Sequence, residues 1–177
     1  MARLPLIDPA NTTGHNREIF DGVLKSKRFN MFKALANSPI GLDLFLGPAA
    51  TLAKGTLTEA EREAIELTTA HANGCDYCQA AHTAIGRHAG LSVEQTIGAR
   101  RGVIADNPRL DALVRFVAAV QEKRGNISDA DFAAFRAGGF SDTQMIEVLG
   151  VMALATFTNF FNIANATPLD LPAAPKM

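Results

Sequence analysis

Met145, Leu149, Met152, Leu154 and Phe157 recur at helical spacing, and the Phe160-Phe161 pair widens them into a broad apolar surface. This pattern predicts a long helix over 141–165. In the N-terminal half Phe29, Phe32, Phe45 and Leu46 recur in the same manner, which suits either core packing or the lining of a substrate pocket. Between the apolar positions, helix punctuation is frequent. Thr58 with Glu61, Ser92 with Gln95 and Ser141 with Gln144 have capping-box spacing, in which two side chains satisfy orphan backbone donors at a helix start. Asn107 before Pro108 gives a cap and a first-turn proline, and Gly90 and Gly125 stand where left-handed helix ends favour glycine.

These signals predict helices over 16–37 (interrupted), 39–54, 58–73, 75–89, 92–104, 108–124, 128–137 and 141–165. There is little room for strands and no internal repeat, so the expected fold class is all-α, in a single domain spanning 1–177. The Pro- and Asn-containing arm 1–15 and the Pro-rich tail 167–177 are expected to lie outside the core. The apolar surface of 141–165 is broad for so small a domain, which suggests that part of it packs against a second copy in a homo-oligomer.

Composition narrows the class of function. With 177 residues, 47% hydrophobic and 20% charged, the chain can bury one sizeable core without disulfide staples. A net charge of -1 and the absence of a dense Lys/Arg cluster argue against nucleic acid or an anionic membrane as partner. No apolar run reaches the roughly 20 residues of a membrane span, and the opening MARLPLIDPANTT lacks the layout of a signal peptide, so the expected compartment is the cytoplasm. Two cysteines in a CxxC then read as redox or metal chemistry rather than structural bridging.

The segment TEAEREAIELTTAHANGCDYCQAAHTAIGRHAG from Thr58 onward gathers the candidate chemistry: a helix, a break at Asn73-Gly74, and a second helix opening at the cysteines. Folded as a hairpin, it sets Glu63 about level with His82. Cys75, Cys78 and His82 share one helix face at neighbour spacing of ~5–6 Å. A helix N-terminus, a CxxC partner and a nearby imidazolium each lower a thiol pKa, and a carboxylate such as Glu63 can act with His82 to move the thiol proton.

A zinc site built from His71, Cys75, Cys78 and His82 is the competing reading. On a continuous helix His71 and His82 would stand about 16 Å apart, beyond the reach of one ion unless the chain breaks tightly at Gly74. His71 lies on the face of Glu63 and either joins the relay or packs structurally. His88 and Arg87 suit a helix C-terminus, and Arg100-Arg101 suits a solvated face or an interface.

Glu63, eleven residues, then Cys75-x2-Cys78-x3-His82 resembles the signature of the alkylhydroperoxidase D and carboxymuconolactone decarboxylase-like family. The flanking EREAIEL, the NGC before the first cysteine and FFNIANAT near the end are similar too, so the resemblance covers about 40–165. It implies an all-helical domain with a catalytic helical hairpin, assembled as a trimer or hexamer, that reduces hydroperoxides and is recharged by an external dithiol, lipoamide-like or thioredoxin-like. No bound cofactor or resident metal is expected. Carried over to this chain, Cys78 is the peroxidatic thiol, Cys75 the more exposed resolving thiol, and Glu63 and His82 the proton relay. The well-studied hydroperoxidases carry a second His before the second cysteine where this chain has Tyr77. The decarboxylase branch lacks the cysteine pair, which argues against that reaction here. Two further classes remain open: a disulfide reductase or redox sensor without peroxide turnover, and a non-enzymatic or zinc-binding oligomer.

Overall fold

In the computed structural model, which describes residues 2–177, the described residues form a 3-10 turn at Pro9–Asn11 and nine α-helices, with no strand. The helices are α1 Gly14–Asp21, α2 Asn30–Leu35, α3 Gly41–Leu52, α4 Glu59–Ala72, α5 Asp76–His88, α6 Val93–Arg101, α7 Pro108–Glu122, α8 Asp129–Ala137 and α9 Asp142–Asn165. The all-α class is as the sequence predicts.

The capping signals set the boundaries. Thr58–Glu61, Ser92–Gln95 and Ser141–Gln144 each form a complete reciprocal box, and the Asn107 side chain accepts from Leu110 N–H ahead of Pro108. A fourth box, Ser128–Asp131, opens α8 with Asp in place of the usual Glu or Gln. Helix α6 stops at Arg101 rather than 104, because Gly102 turns left-handed at φ 72° and the chain closes with Val103 N–H on Gly98 O. The region predicted as 16–37 holds two short helices, separated where Gly22 leaves helical geometry.

Helix α4 is the centre of the fold and packs against α5, α6, α7 and α9. Its Ala64, Ile65 and Leu67 enter the main core with Leu113, Val117 and Val148. Each fully buried large aliphatic side chain contributes about 1.5–3 kcal/mol through removal from water. Phe135 stacks between Phe116 and Phe140 at centroid distances of 4.2 and 4.7 Å. A second core gathers Phe20, Leu24 and Leu42 with Phe157 and Phe161 of α9.

Helix α9 has 24 residues, and an 18-residue stretch of it has a mean hydropathy of 1.5, long and apolar enough to cross a membrane by length and composition. It nevertheless packs on α3, α4 and α5, and Thr158, Asn159 and Asn162 lie buried along it. That burial is what a core helix requires. Its apolar surface divides in two: Met152 and Leu154 are buried, while Ile146 at 70% and Phe160 at 57% exposure face outward.

Both ends lie against the helices rather than standing off them. Arg3 N–H donates to Asn165 O at 2.8 Å, and Leu4 N–H to Asn165 Oδ1. In the tail, Asp170 Oδ2 accepts from Asn30 N–H at 2.7 Å and Pro175 O accepts from Arg100 Nη2, also at 2.7 Å. Main-chain groups in these segments find partners on α2, α6 and α9.

Candidate active site

Helix α4 ends at Ala72 with Asn73 as its C-cap, and Gly74 takes φ +72°, a left-handed conformation that glycine adopts without strain. Cys75 N–H then closes on Ala70 O, and α5 turns back along α4. Close approach of the two helices depends on Gly86: a Cβ there would stand 3.4 Å from Glu63 Cβ and 3.0 Å from Leu91 Cδ1. The hairpin brings Glu63 and His82 together, with His82 Nδ1 2.8 Å from Glu63 Oε2.

Cys75 is the N-cap of α5, where its Sγ accepts from Cys78 N–H at 3.2 Å, and the two cysteines are joined as a disulfide. The N-terminal turn of a helix favours a thiolate at either position. Cys75 does not stand out as exposed in the oxidised pair: both residues are buried, at 1% and 2% exposure. Cys75 packs with Ala70, Tyr77 and Met31 beneath the turn, whereas Cys78 borders a cavity. On the α9 side, Asn162 Nδ2 donates to Cys78 Sγ at 3.5 Å. Asn73 Nδ2 donates to Asn159 Oδ1, tying the α4–α5 turn to α9.

A second carboxylate reaches His82. Glu66, one turn beyond Glu63 on α4, places Oε2 3.4 Å from His82 Nε2. Burial by itself would lower the His82 pKa, but Glu66 and Glu63 outweigh it and lift the group to about 9. Burial likewise raises the Glu66 carboxyl, held down in part by His82, to about 7. The two carboxylates thus favour the imidazolium form of His82, one helical turn from Cys78 on α5.

The cavity has a volume of about 550 Å³, within the range of small-molecule sites. Phe29, Met31, Phe32, Phe45, Ile85 and Leu171 give it apolar walls; Cys78, His82 and Asn162 supply its reactive side; Lys27 and His88 border it too. Three of the N-terminal aromatics thus serve the cavity, while Leu46 packs against the second core.

Other candidates fall elsewhere. His71 is exposed and borders a separate cavity of about 370 Å³ with Arg100 and Arg101, away from the relay. His71, the cysteines and His82 therefore do not converge, and among the described residues no group of three or more His, Cys, Asp or Glu is arranged to hold a metal ion. Tyr77 reaches the tail, donating its hydroxyl to Asp170 Oδ1 at 2.8 Å. Burial and that carboxylate hold the phenol well above its ordinary pKa.

The motif does not identify Glu66 or Asn162. The available signals were a second Glu at i+3 in EREAIEL and an isolated Asn in the apolar run FFNIAN. Neither has meaning until the hairpin and α9 are placed around the thiols.

Comparison with known proteins agrees with the all-helical fold. The carboxymuconolactone decarboxylase family model matches residues 45–122. A peroxidase-related protein from Ralstonia eutropha JMP134, described as an alkylhydroperoxidase AhpD core, is 26% identical and superposes with a TM-score of 0.82 over 96% of this chain and 92% of its own. A peroxidase-related protein from Silicibacter sp. TM1040 shares the fold at 24% identity and a TM-score of 0.80, over 94% and 89% of the two chains. The debrominase Bmp8, solved with 2,3,4-tribromopyrrole, shares the fold at 19% identity and a TM-score of 0.74, over 96% and 94%. No curated protein matches the chain. Residues 45–122 thus resemble the carboxymuconolactone decarboxylase family in sequence, and over nearly its whole length the chain shares the fold of a protein described as an alkylhydroperoxidase AhpD core.

Proposed function

We propose that the chain is a dithiol peroxidase for organic hydroperoxides, working in a reducing cytoplasm as a homo-oligomer of three or six copies. The observation that carries this reading is the placement of Cys78: its sulfur borders an apolar cavity, takes a hydrogen bond from Asn162, and lies one turn from the charged His82. An imidazolium and an amide donor both favour thiolate over thiol.

In the reduced protein the Cys78 thiolate attacks the hydroperoxide. An S–O bond forms, the O–O bond breaks, and the alkoxide takes the proton that Cys78 had left with the His82 cluster. Cys78 is then a sulfenic acid. The Cys75 thiol condenses with it, releasing water and forming the disulfide. The sum is one hydroperoxide and two thiols giving one alcohol, one water and one disulfide.

An external dithiol restores the pair. Because both sulfurs are nearly inaccessible from outside and only Cys78 borders the cavity, a slender lipoamide-like arm fits the site better than the broad face of a thioredoxin-like protein. The same burial weighs against a general protein-disulfide reductase, whose sulfurs must meet large partners.

The test is consumption of an organic hydroperoxide by the reduced protein, with free thiols counted before and after. The reading expects peroxide loss and the disappearance of both thiols per chain. Thiols that survive excess hydroperoxide overturn it.

A further inference from the structure

Glu66 has no part in the motif, yet it is buried against the same imidazole as Glu63. It is 8% exposed, its Oε2 is enclosed with no hydrogen-bond partner, and that oxygen is 3.4 Å from His82 Nε2. Glu63 takes the other edge of the ring with a 2.8 Å hydrogen bond to Nδ1. One cation is thus flanked by two carboxylates in a site where a net charge is costly to bury.

Four arginines on the surrounding elements are engaged away from Glu66. Arg62 of α4 donates to Leu57 O, Arg87 of α5 to Leu91 O, Arg100 of α6 to Thr96 O and Pro175 O, and Arg109 of α7 to Glu61 and Gly139 O. On α9, Thr158, Asn159 and Asn162 are neutral. The charges that bear on Glu66 are His82 and Glu63. One additional proton makes the trio neutral, and Glu66 is its natural seat, because Glu63 already spends an oxygen on a hydrogen bond to the charged ring.

We propose that Glu66 is a positioning residue acting through His82: it holds the ring charged and is the second proton seat of a Glu63–His82–Glu66 cluster that keeps the Cys78 proton inside the protein. This rests on the thiol chemistry proposed above. When Cys78 ionises, His82 passes its Nε2 proton to Glu66 and takes the thiol proton in its place. When the alkoxide forms, His82 gives it a proton and recovers one from Glu66. Protons balance at each step, and none is exchanged with water during the attack. Raised values for both Glu66 and His82 agree with this arrangement.

The test is an NMR titration of the His82 ring in the oxidised full-length protein, with the resonance assigned by its loss in His82→Asn. This readout requires no peroxide turnover, so it stands or falls separately from the proposed activity. Wild type is expected to show two inflections, the lower from Glu66 and the upper from the ring itself. Glu66→Gln should remove the lower inflection and move the upper one down by about a unit or more, since a neighbouring anion has been deleted. Glu66→Asp retains the charge and should retain both inflections, which separates loss of charge from repacking. Persistence of the lower inflection in Glu66→Gln, or an unmoved upper one, overturns the proposal.

Discussion

Tyr77 donates its hydroxyl to Asp170 at 2.8 Å, so the polar end of the residue directly before Cys78 is committed to the C-terminal tail while its ring packs beside the thiols. The same Asp170 accepts from Asn30 N–H, and Leu171 next to it walls the cavity. One hydroxyl therefore helps hold the tail, α2 and the thiol helix in register.

Tyr77→Phe should release this latch. A hydrogen bond to a charged group contributes about 1.5–3 kcal/mol, the upper limit for this half-buried one. The expected outcome is faster proteolysis of the tail after residue 167 and faster reduction of the disulfide by a small dithiol, both followed in time courses by mass spectrometry. Unchanged rates would show that the tail is held without Tyr77.

Asn162→Leu removes the amide that donates to Cys78 Sγ. The reduced variant should lose about tenfold in the rate of Cys78 alkylation at pH 7, the equivalent of one hydrogen bond to a charged sulfur. The matching loss in wild type should appear only at lower pH. Equal alkylation rates at every pH contradict a role for Asn162 in holding the thiolate.

Ala84→Phe places a ring in the cavity that Cys78 borders. Reaction with a bulky aromatic hydroperoxide should slow by at least about tenfold through lost near-attack geometry, with hydrogen peroxide affected much less. A uniform effect on both would place the substrate elsewhere.

Stability should fall as the solution becomes more alkaline. Glu66 is raised from 4.5 to about 7 and His82 from 6.5 to about 9, so the folded protein holds protons that the unfolded chain has released. Their stabilising effect is complete below pH 4.5 for Glu66 and below 6.5 for His82; it is lost as pH rises through about 7 and about 9. Denaturant midpoints for wild type should decline between pH 5 and 9, and Glu66→Gln should flatten the lower half of that decline.

Much of the fold is visible in local sequence, because its helix boundaries rest on caps and glycines that act over three or four residues. The ends of α4, α5, α7 and α9 fall within two residues of the predicted positions for that reason. The division of 16–37 is less visible, since the chain there is held by contacts with α3 and α9 rather than by its own spacing. The pairing of Glu63 with His82 follows from the hairpin register and could be read in advance. Asn162 and Asp170 could not: each reaches the site across a tertiary contact from α9 or from the tail, whereas Glu66 lies one turn from Glu63 on the same hairpin and its signal is the second Glu of EREAIEL. The burial of Cys75 has the same origin, depending on Met31 and Tyr77.

The most direct measurement is intact-mass and peptide analysis of reduced Cys75→Ser after one equivalent of an organic hydroperoxide. The account predicts a single added oxygen, on Cys78, trapped because no resolving thiol remains. An unmodified Cys78 beside intact hydroperoxide would contradict it.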